Sequence, residues 1–526
     1  MELIKKNIHM DCMKCKATTQ ITLEDDINVS DNKPDIVKLI FDKGVIQIDE
    51  MKASTDHVQV IGKLLFAALY ISEEEESRIG TIEGELPFRE QVYLEGAQSG
   101  DTINIHTALE DLSISLINSR KLSVQAVLTL HLYIEEICDE ETSVDVRYEE
   151  PVDERKPIEY RLEPMELSEL VIQKKDVFRL KEEIALPQTL PNIFNLLWNQ
   201  VCVNQIEFRA KDEKLSIQGE LTAFFLYEAE GEDRAVRWYE TTIPFEGEIE
   251  CHGSTERLIP DIIDSISHCE VEVRPDFDGE ERMIGIELVL DLQIKLYEQD
   301  QIELLTDVYG ICHEVQVSAK EGHYKNLLLR NAGQLKTGEH IKVANGSARI
   351  LQVCHSEAQV QPDETRIVEN GIELTGSVLV KILYVTNDDA TPFGIVKGSI
   401  PYHHRIEVPH IKADSDVDVR LSMEQLNVTM VDSEELDVKL SMNVYAIVFD
   451  NQTQSIITEL RVTDSDGSVL EDLPSMVVYI AKKGDTLWQL GKRYYVPIAQ
   501  IKETNELSDD TLQAGDKLLI VKTLPG

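Results

Sequence analysis

The chain has 526 residues, 42% of them apolar, and a formal net charge of −46. The apolar share supports ordinary cores and excludes a globally disordered chain. The acidity excludes nucleic acid and anionic membrane as direct ligands of the body, since both carry the same sign of charge.

Residues 1–15 are polar and lack the apolar centre of a secretory signal. The longest apolar run in the repeated part, residues 64–71, is too short to span a bilayer. The expectation is a chain without a transmembrane segment that stays in the cytosol where it is made. Residues 1–22 read as an N-terminal lead-in carrying Cys12-x-x-Cys15, with His9 nearby. A structural zinc site needs a second ligand pair, and a redox CxxC needs a strand-to-helix context. Neither follows, so the two cysteines read as unpaired surface thiols. Eight cysteines with no recurrence at the repeat period do not make a disulfide framework.

A unit then recurs. Residues 62–70 read GKLLFAALY, residues 219–227 GELTAFFLY and residues 376–384 GSVLVKILY, each 157 residues after the last, from 62 to 219 to 376. Ile27, Ile184 and Ile341 keep that spacing, as do Ile36, Ile193 and Ile350. Pro87-Phe88 recurs as Pro244-Phe245 and Pro401-Tyr402. A period this long is a whole domain rather than a solenoid repeat. Near the start of each unit lies PDIVKLIF, PNIFNLLW or ARILQVC, with apolar residues at helical spacing. That spacing predicts one short helix per repeat, with a bent strand as the alternative. Strands follow at residues 44–49, 201–208 and 358–365. The organising strand comes next; Gly62, Gly219 and Gly376 inside it mark a bulge or a close backbone approach. Tyr70, Tyr227 and Tyr384 end it, expected with buried rings and hydroxyls in reach of water. Acidic turns at 73–77, 228–233 and 387–390 read as solvated hairpin tips and lack the spacing of a calcium loop. Alternating strands at 122–134, 284–297 and 436–449 close the units.

The fold class expected is therefore mostly β: three tandem sandwich- or barrel-like domains, at 23–138, 168–300 and 325–452, each with a short helix. Polar connections run over about 139–167 and 298–324. A linker at 453–475 leads to a small α+β tail at 476–526.

The tail reads strand, Gly-Asp turn, helix, Pro break, helix, loop, strand. Thr486 is placed to cap the first helix and Gly484 to make the turn. Leu487, Leu490, Ile498 and Ile501 are the candidate core. Trp488 reads either as core or as an exposed anchor for a partner or sugar. Gly484-Asp485-Thr486-Leu487-Trp488, Tyr494, Ile501, Asn505, Leu507, Leu512, Gly515, Leu518 and Ile520 together resemble a LysM domain. The match departs at Gly491, where Ala is usual, and at Ala514 and Val521, where Pro is usual. A glycine inside a helix costs about 1 kcal/mol against Ala. The LysM resemblance implies binding to N-acetylglucosamine polymers in a groove between the loops at 484–486 and 506–512. The candidate partner- or glycan-binding residues are Gly484, Asp485, Thr486, Leu487, Trp488, Asn505, Leu507, Leu512 and Gly515.

Domain-length β repeats with a GxL…LY strand and a P-F/Y strand, ending in a LysM, resemble the SPOCS-domain spore-coat morphogenetic proteins of endospore-forming Firmicutes. That resemblance implies an assembly scaffold whose LysM docks on the coat morphogenetic ATPase, with other coat proteins as partners. It also implies a place in the mother-cell cytoplasm, at the outer forespore membrane and spore coat. Residues 476–526 hold seven Lys or Arg against six Asp or Glu, a formal +1 that leaves −47 on the rest. This split fits two surfaces with different partners, or solubility alone.

No GxSxG elbow, phosphate loop or HExxH helix occurs, so no catalytic residue, metal or cofactor is expected. His403, His404 and His410 form the one histidine cluster, and adjacent strand residues face opposite ways. Two other readings stand beside the scaffold. One is a glycan-binding wall or cortex protein, which requires export. The other is an enzyme of unrecognised type, which requires a polar pocket.

Overall fold

A computed structural model describes residues 2–73, 78–147, 158–231, 234–311, 313–344, 348–388, 391–464 and 474–522. The acidic tips at 74–77, 232–233 and 389–390, and most of the 464–474 stretch of the expected linker, lie outside the described residues. So does part of the first connection, at 148–157.

Each repeat is built from six strands. The first contains β1 (Glu2–Asn28), β2 (Ile36–Ser54), β3 (His57–Ser72), β4 (Ile79–Tyr93), β5 (Ile103–Asn118) and β6 (Lys121–Arg147). The second contains β7 (Ile158–Ala185), β8 (Ile193–Lys211), β9 (Lys214–Ala229), β10 (Val236–Glu250), β11 (Ile259–Pro275) and β12 (Glu281–Gly310). The third contains β13 (His313–Lys342), β14 (Ile350–Val368), β15 (Gly371–Thr386), β16 (Phe393–Glu407), β17 (Asp416–Met430) and β18 (Glu435–Asp464). All pairings are antiparallel. In the first repeat the sheet orders are β2-β3-β4 and β1-β6-β5, and the other two repeat that scheme. The two sheets face each other as a sandwich. The first core lies between them, with Val58, Val60, Leu64 and Phe66 from β3 against Val124, Ala126, Leu128 and Leu130 from β6.

The repeated motifs explain one another. In register, Gly62 lies opposite Phe88, Gly219 opposite Phe245 and Gly376 opposite Tyr402. A Cβ on Gly62 would come within 2.9 Å of Phe88 Cζ and 2.5 Å of the Gln47 carbonyl. The aromatic ring thus covers a glycine that has no room for a side chain. Pro87, Pro244 and Pro401 sit in strands paired on one side only, where a missing N–H breaks no ladder. Two of the three tyrosines depart from expectation at the hydroxyl. Their rings are buried, and Tyr227 and Tyr384 donate to the carbonyls of Pro191 and Ala348, at 3.3 and 3.4 Å, rather than to solvent.

The short helix expected in each repeat is not there. Residues 36–41 and their equivalents are strand, interrupted at Val37 and Ile40, at Phe194 and Leu197, and at Leu351 and Cys354. Each bulge inserts one unpaired residue, so apolar side chains stop alternating and fall at spacings that imitate a helix. The second bulge also lets Ile40 and Phe41 both turn outward from their own sandwich. There they meet Leu197 and Trp198 of the second repeat and Cys354 of the third in one shared core, which also takes Leu69, Leu226 and Leu383. These are equivalent positions in the three copies, so the repeats close around a pseudo-threefold axis. Phe41 stands edge-on to Trp198 at 5.6 Å and His355 stacks on Phe224 at 4.0 Å. Lys381 Nζ donates to Asp42 Oδ2 at 2.7 Å, joining third to first.

The second difference is larger. Residues 2–22, expected as a lead-in, form most of β1, and apart from the bend at Ile311 the described parts of the expected connections are strands. The outer parts of β1 and β6, β7 and β12, and β13 and β18 continue past the sandwiches as three two-stranded ribbons. These pack together through Ile8, Met10, Leu167, Ile302, Leu304, Tyr324 and Ile456. Met10, Leu167 and Tyr324 are again equivalent. The ribbons read as polar because each contributes only a sparse apolar face to a core shared among three. Cys12 and Cys15 are half-buried on β1, not surface thiols. Burial, with a hydrogen bond to Cys138 on β6, pushes the Cys12 thiol up to about 12.

Candidate functional site

The tail is strand β19 (Met476–Ile480), helix α1 (Leu487–Tyr494), helix α2 (Ile498–Thr504) and strand β20 (Lys517–Val521). β19 and β20 pair antiparallel, and these are the two helices among the described residues. Thr486 caps α1: its hydroxyl accepts from the Gln489 N–H at 3.2 Å, and Gln489 Oε1 accepts in return from the Thr486 N–H. This reciprocal cap satisfies two N–H groups that the helix leaves open.

Besides the cap Thr486 and Trp488, the structure sorts the other seven candidate residues into three kinds. Leu487 is core, buried with Leu490, Val496, Ile501, Leu518 and Ile520, and Leu507 and Leu512 pack against the same cluster. Asn505 is a brace. Its Nδ2 donates to the carbonyls of Ile501 and Leu519, each at 2.8 Å, and its Oδ1 accepts from the Leu519 N–H at 2.6 Å. Asp485 is a brace too. Its carboxylate accepts from the Lys482 N–H and the Tyr479 hydroxyl, both at 2.8 Å, and those bonds hold it below the usual carboxylate range. Gly484 and Gly515 are exposed turn positions with φ of +95° and +103°. The open surface for a ligand is therefore the loop of Gly484 and Thr486, together with exposed residues of the loop at 506–512 such as Glu506 and Ser508.

Trp488 resolves differently from either alternative. It is neither in the tail's core nor free. Its ring stands edge-on to Tyr309 of β12 at 5.0 Å, and Nε1 donates to Asp307 Oδ2 at 2.8 Å. Lys492 Nζ donates to Asp307 Oδ1 at 2.6 Å. The Tyr309 hydroxyl donates to the Val496 carbonyl at 3.1 Å, and Ile311 and Tyr495 complete the contact. The sequence reading missed Asp307, Tyr309, Lys492 and Tyr495. The visible signal was Gly491, the departure from the expected Ala. A Cβ there would lie 2.5 Å from the Tyr309 hydroxyl oxygen.

Elsewhere the histidine cluster does not converge: His403 and His404 are neighbours on β16, and His404 is pushed below its ordinary value by burial and by His403. Among the described residues no group of three His, Cys, Asp or Glu is placed to hold a metal, and no helix is long and apolar enough to cross a membrane.

Comparison with protein families matches the model described as "SipL, SPOCS domain" to residues 35–117, 192–274 and 349–431. Those three segments start 157 residues apart, from 35 to 192 to 349, which is the repeat period. The chain carries three SPOCS domains. The LysM domain model matches residues 479–521. Each SPOCS match runs from the bulged strand to the edge strand β5, β11 or β17, so the ribbon strands lie largely outside it. Searches of curated proteins and of solved structures return no match. SPOCS and LysM are binding-type domains without catalytic machinery. Their pairing marks a sporulation-related protein that carries a module of the peptidoglycan-binding type.

Proposed function

We propose that this SPOCS protein is a non-enzymatic scaffold of spore-coat assembly, working in the mother-cell cytoplasm at the forespore surface. Its LysM domain docks on the coat morphogenetic ATPase, and the repeat block gathers other coat proteins. The observation that carries this reading is the seating of the LysM domain. It is attached at one end of a block formed by three SPOCS repeats, and its Gly484–Thr486 turn faces solvent. A block with several surfaces and one tethered docking module raises avidity without any single strong contact.

The test is a pull-down from sporulating mother-cell lysate with the full chain and with a chain ending at Ser475. Capture of the coat ATPase by the full chain, lost on truncation, is the expected result. A second reading is glycan binding, favoured by the LysM fold and its open loops. Tail-dependent binding of N-acetylglucosamine oligomers by the full chain, with no tail-dependent protein partner, would replace the scaffold reading with it.

A further inference from the structure

The contact between the LysM domain and the block uses one ribbon out of three. The ribbons end at equivalent positions, because the bulge between Ile4 and Lys5 recurs in the pairing of β7 with β12 and of β13 with β18. Asp145, Asp307 and Glu459 share one such position, and Arg147, Tyr309 and Arg461 share the position two residues on. All three ribbons offer the acid. Only the second follows it with an aromatic ring.

The LysM side carries the matching exception. Gly491 is a poorer helix former than the usual Ala and weakens α1. Its own fold gives one reason, since a Cβ would lie 2.9 Å from the Val496 carbonyl; the Tyr309 hydroxyl, at 2.5 Å, gives the closer one. Two irregularities 182 residues apart, at 309 and 491, therefore fit each other. Charge agrees as well, for a single carboxylate, Asp307, takes both the Trp488 indole N–H and the Lys492 ammonium. Attachment favours the chain's own domain as the occupant. β18 ends at Asp464, paired with His313, three residues past the Gly310 that ends β12. The 465–475 stretch is short enough to keep the LysM domain at high local concentration beside this site.

We propose that Asp307 and Tyr309 form a docking site for the chain's own LysM domain. Seating there covers the Trp488 face of α1 and leaves the Gly484–Thr486 turn accessible. The domain then has two faces under different rules. A ligand of the turn binds with the domain seated. A partner that needs Trp488 must first displace Tyr309. This stands apart from the scaffold reading and does not need the ATPase.

The test uses the full chain with 5-fluorotryptophan at Trp198, Trp238 and Trp488, the last resonance assigned with Trp488→Phe. Tyr309→Arg places on the second ribbon the residue that the other two already carry, so the ribbon keeps its fold. Asp307→Asn removes the shared charge and one of the two acceptor oxygens. In both variants the Trp488 resonance is expected to move and narrow while those of Trp198 and Trp238 stay in place. A Trp488 resonance unchanged in both would overturn the proposal. So would sedimentation of the native chain as a dimer that Tyr309→Arg converts to monomer, because the seat would then hold a second copy's domain.

Discussion

Asp11 sits where the three repeats meet and is only 8% exposed. Lys295 Nζ of the second repeat lies 3.0 Å from its Oδ2, the Tyr297 hydroxyl donates to it at 3.1 Å, and Lys325 of the third lies 4.0 Å away. Burial alone would push this carboxyl up. The charges of Lys295 and Lys325, with hydrogen bonds from Lys295 and Tyr297, outweigh it and hold the group below its ordinary value. A carboxyl with a depressed folded pKa contributes stability that is complete above the unfolded value of about 3.9 and is lost as pH falls through the folded one. Asp11→Asn leaves Lys295 with Glu135 and Lys325 with Asp416. Because both ammonium groups keep a carboxylate, the cost at neutral pH is expected to be smaller than the roughly 3–5 kcal/mol of a pair broken so as to leave a lone buried charge. Urea unfolding of both proteins checks this, and the gap between them is expected to shrink once the pH falls below about 4.

At the scale of elements, β2 and its equivalents were hardest to read. Periodicity reports which residues are apolar, not which way the backbone turns. Val37 and Ile40 are bulge residues, so one strand presents Ile36 to its own sandwich and Phe41 to the neighbouring repeats. The strands from Gly62, Gly219 and Gly376 were legible because they alternate and recur, and the LysM elements because cap, turn and core residues agree locally. Of the candidate site, Thr486 and Leu487 could be understood from neighbours in sequence. Trp488 could not, since its partners Asp307 and Tyr309 lie in another domain. The ribbons escaped for a related reason: Glu2 pairs with Arg147, and no local pattern encodes a partner that far away. A chain lacking residues 1–13 separates the two views. A dispensable lead-in would leave the melting temperature unchanged. A ribbon strand would not, and its loss bares the 135–147 edge of β6. Thermal unfolding is expected to shift down by several degrees, with light scattering reporting association through that edge.

For the whole molecule, shared cores make the three SPOCS repeats one cooperative body. Phe41, Trp198 and Leu383 are buried against one another's repeats, and Met10, Leu167 and Tyr324 likewise. Removing any repeat exposes two such faces, each buried side chain being worth about 1.5–3 kcal/mol. Calorimetry of the full chain is therefore expected to show one large transition for the block, and three resolved block transitions would contradict the shared cores. The equivalents of one residue carry a longer consequence. Where the first repeat has Asp11, the second has Ser168 and the third Lys325. Three copies of the first repeat would bring three carboxylates to one dry point, and three copies of the third would bring three ammonium groups. The three repeats are therefore not interchangeable at this point: acid and base each need the other, and neither the first nor the third repeat could supply all three places.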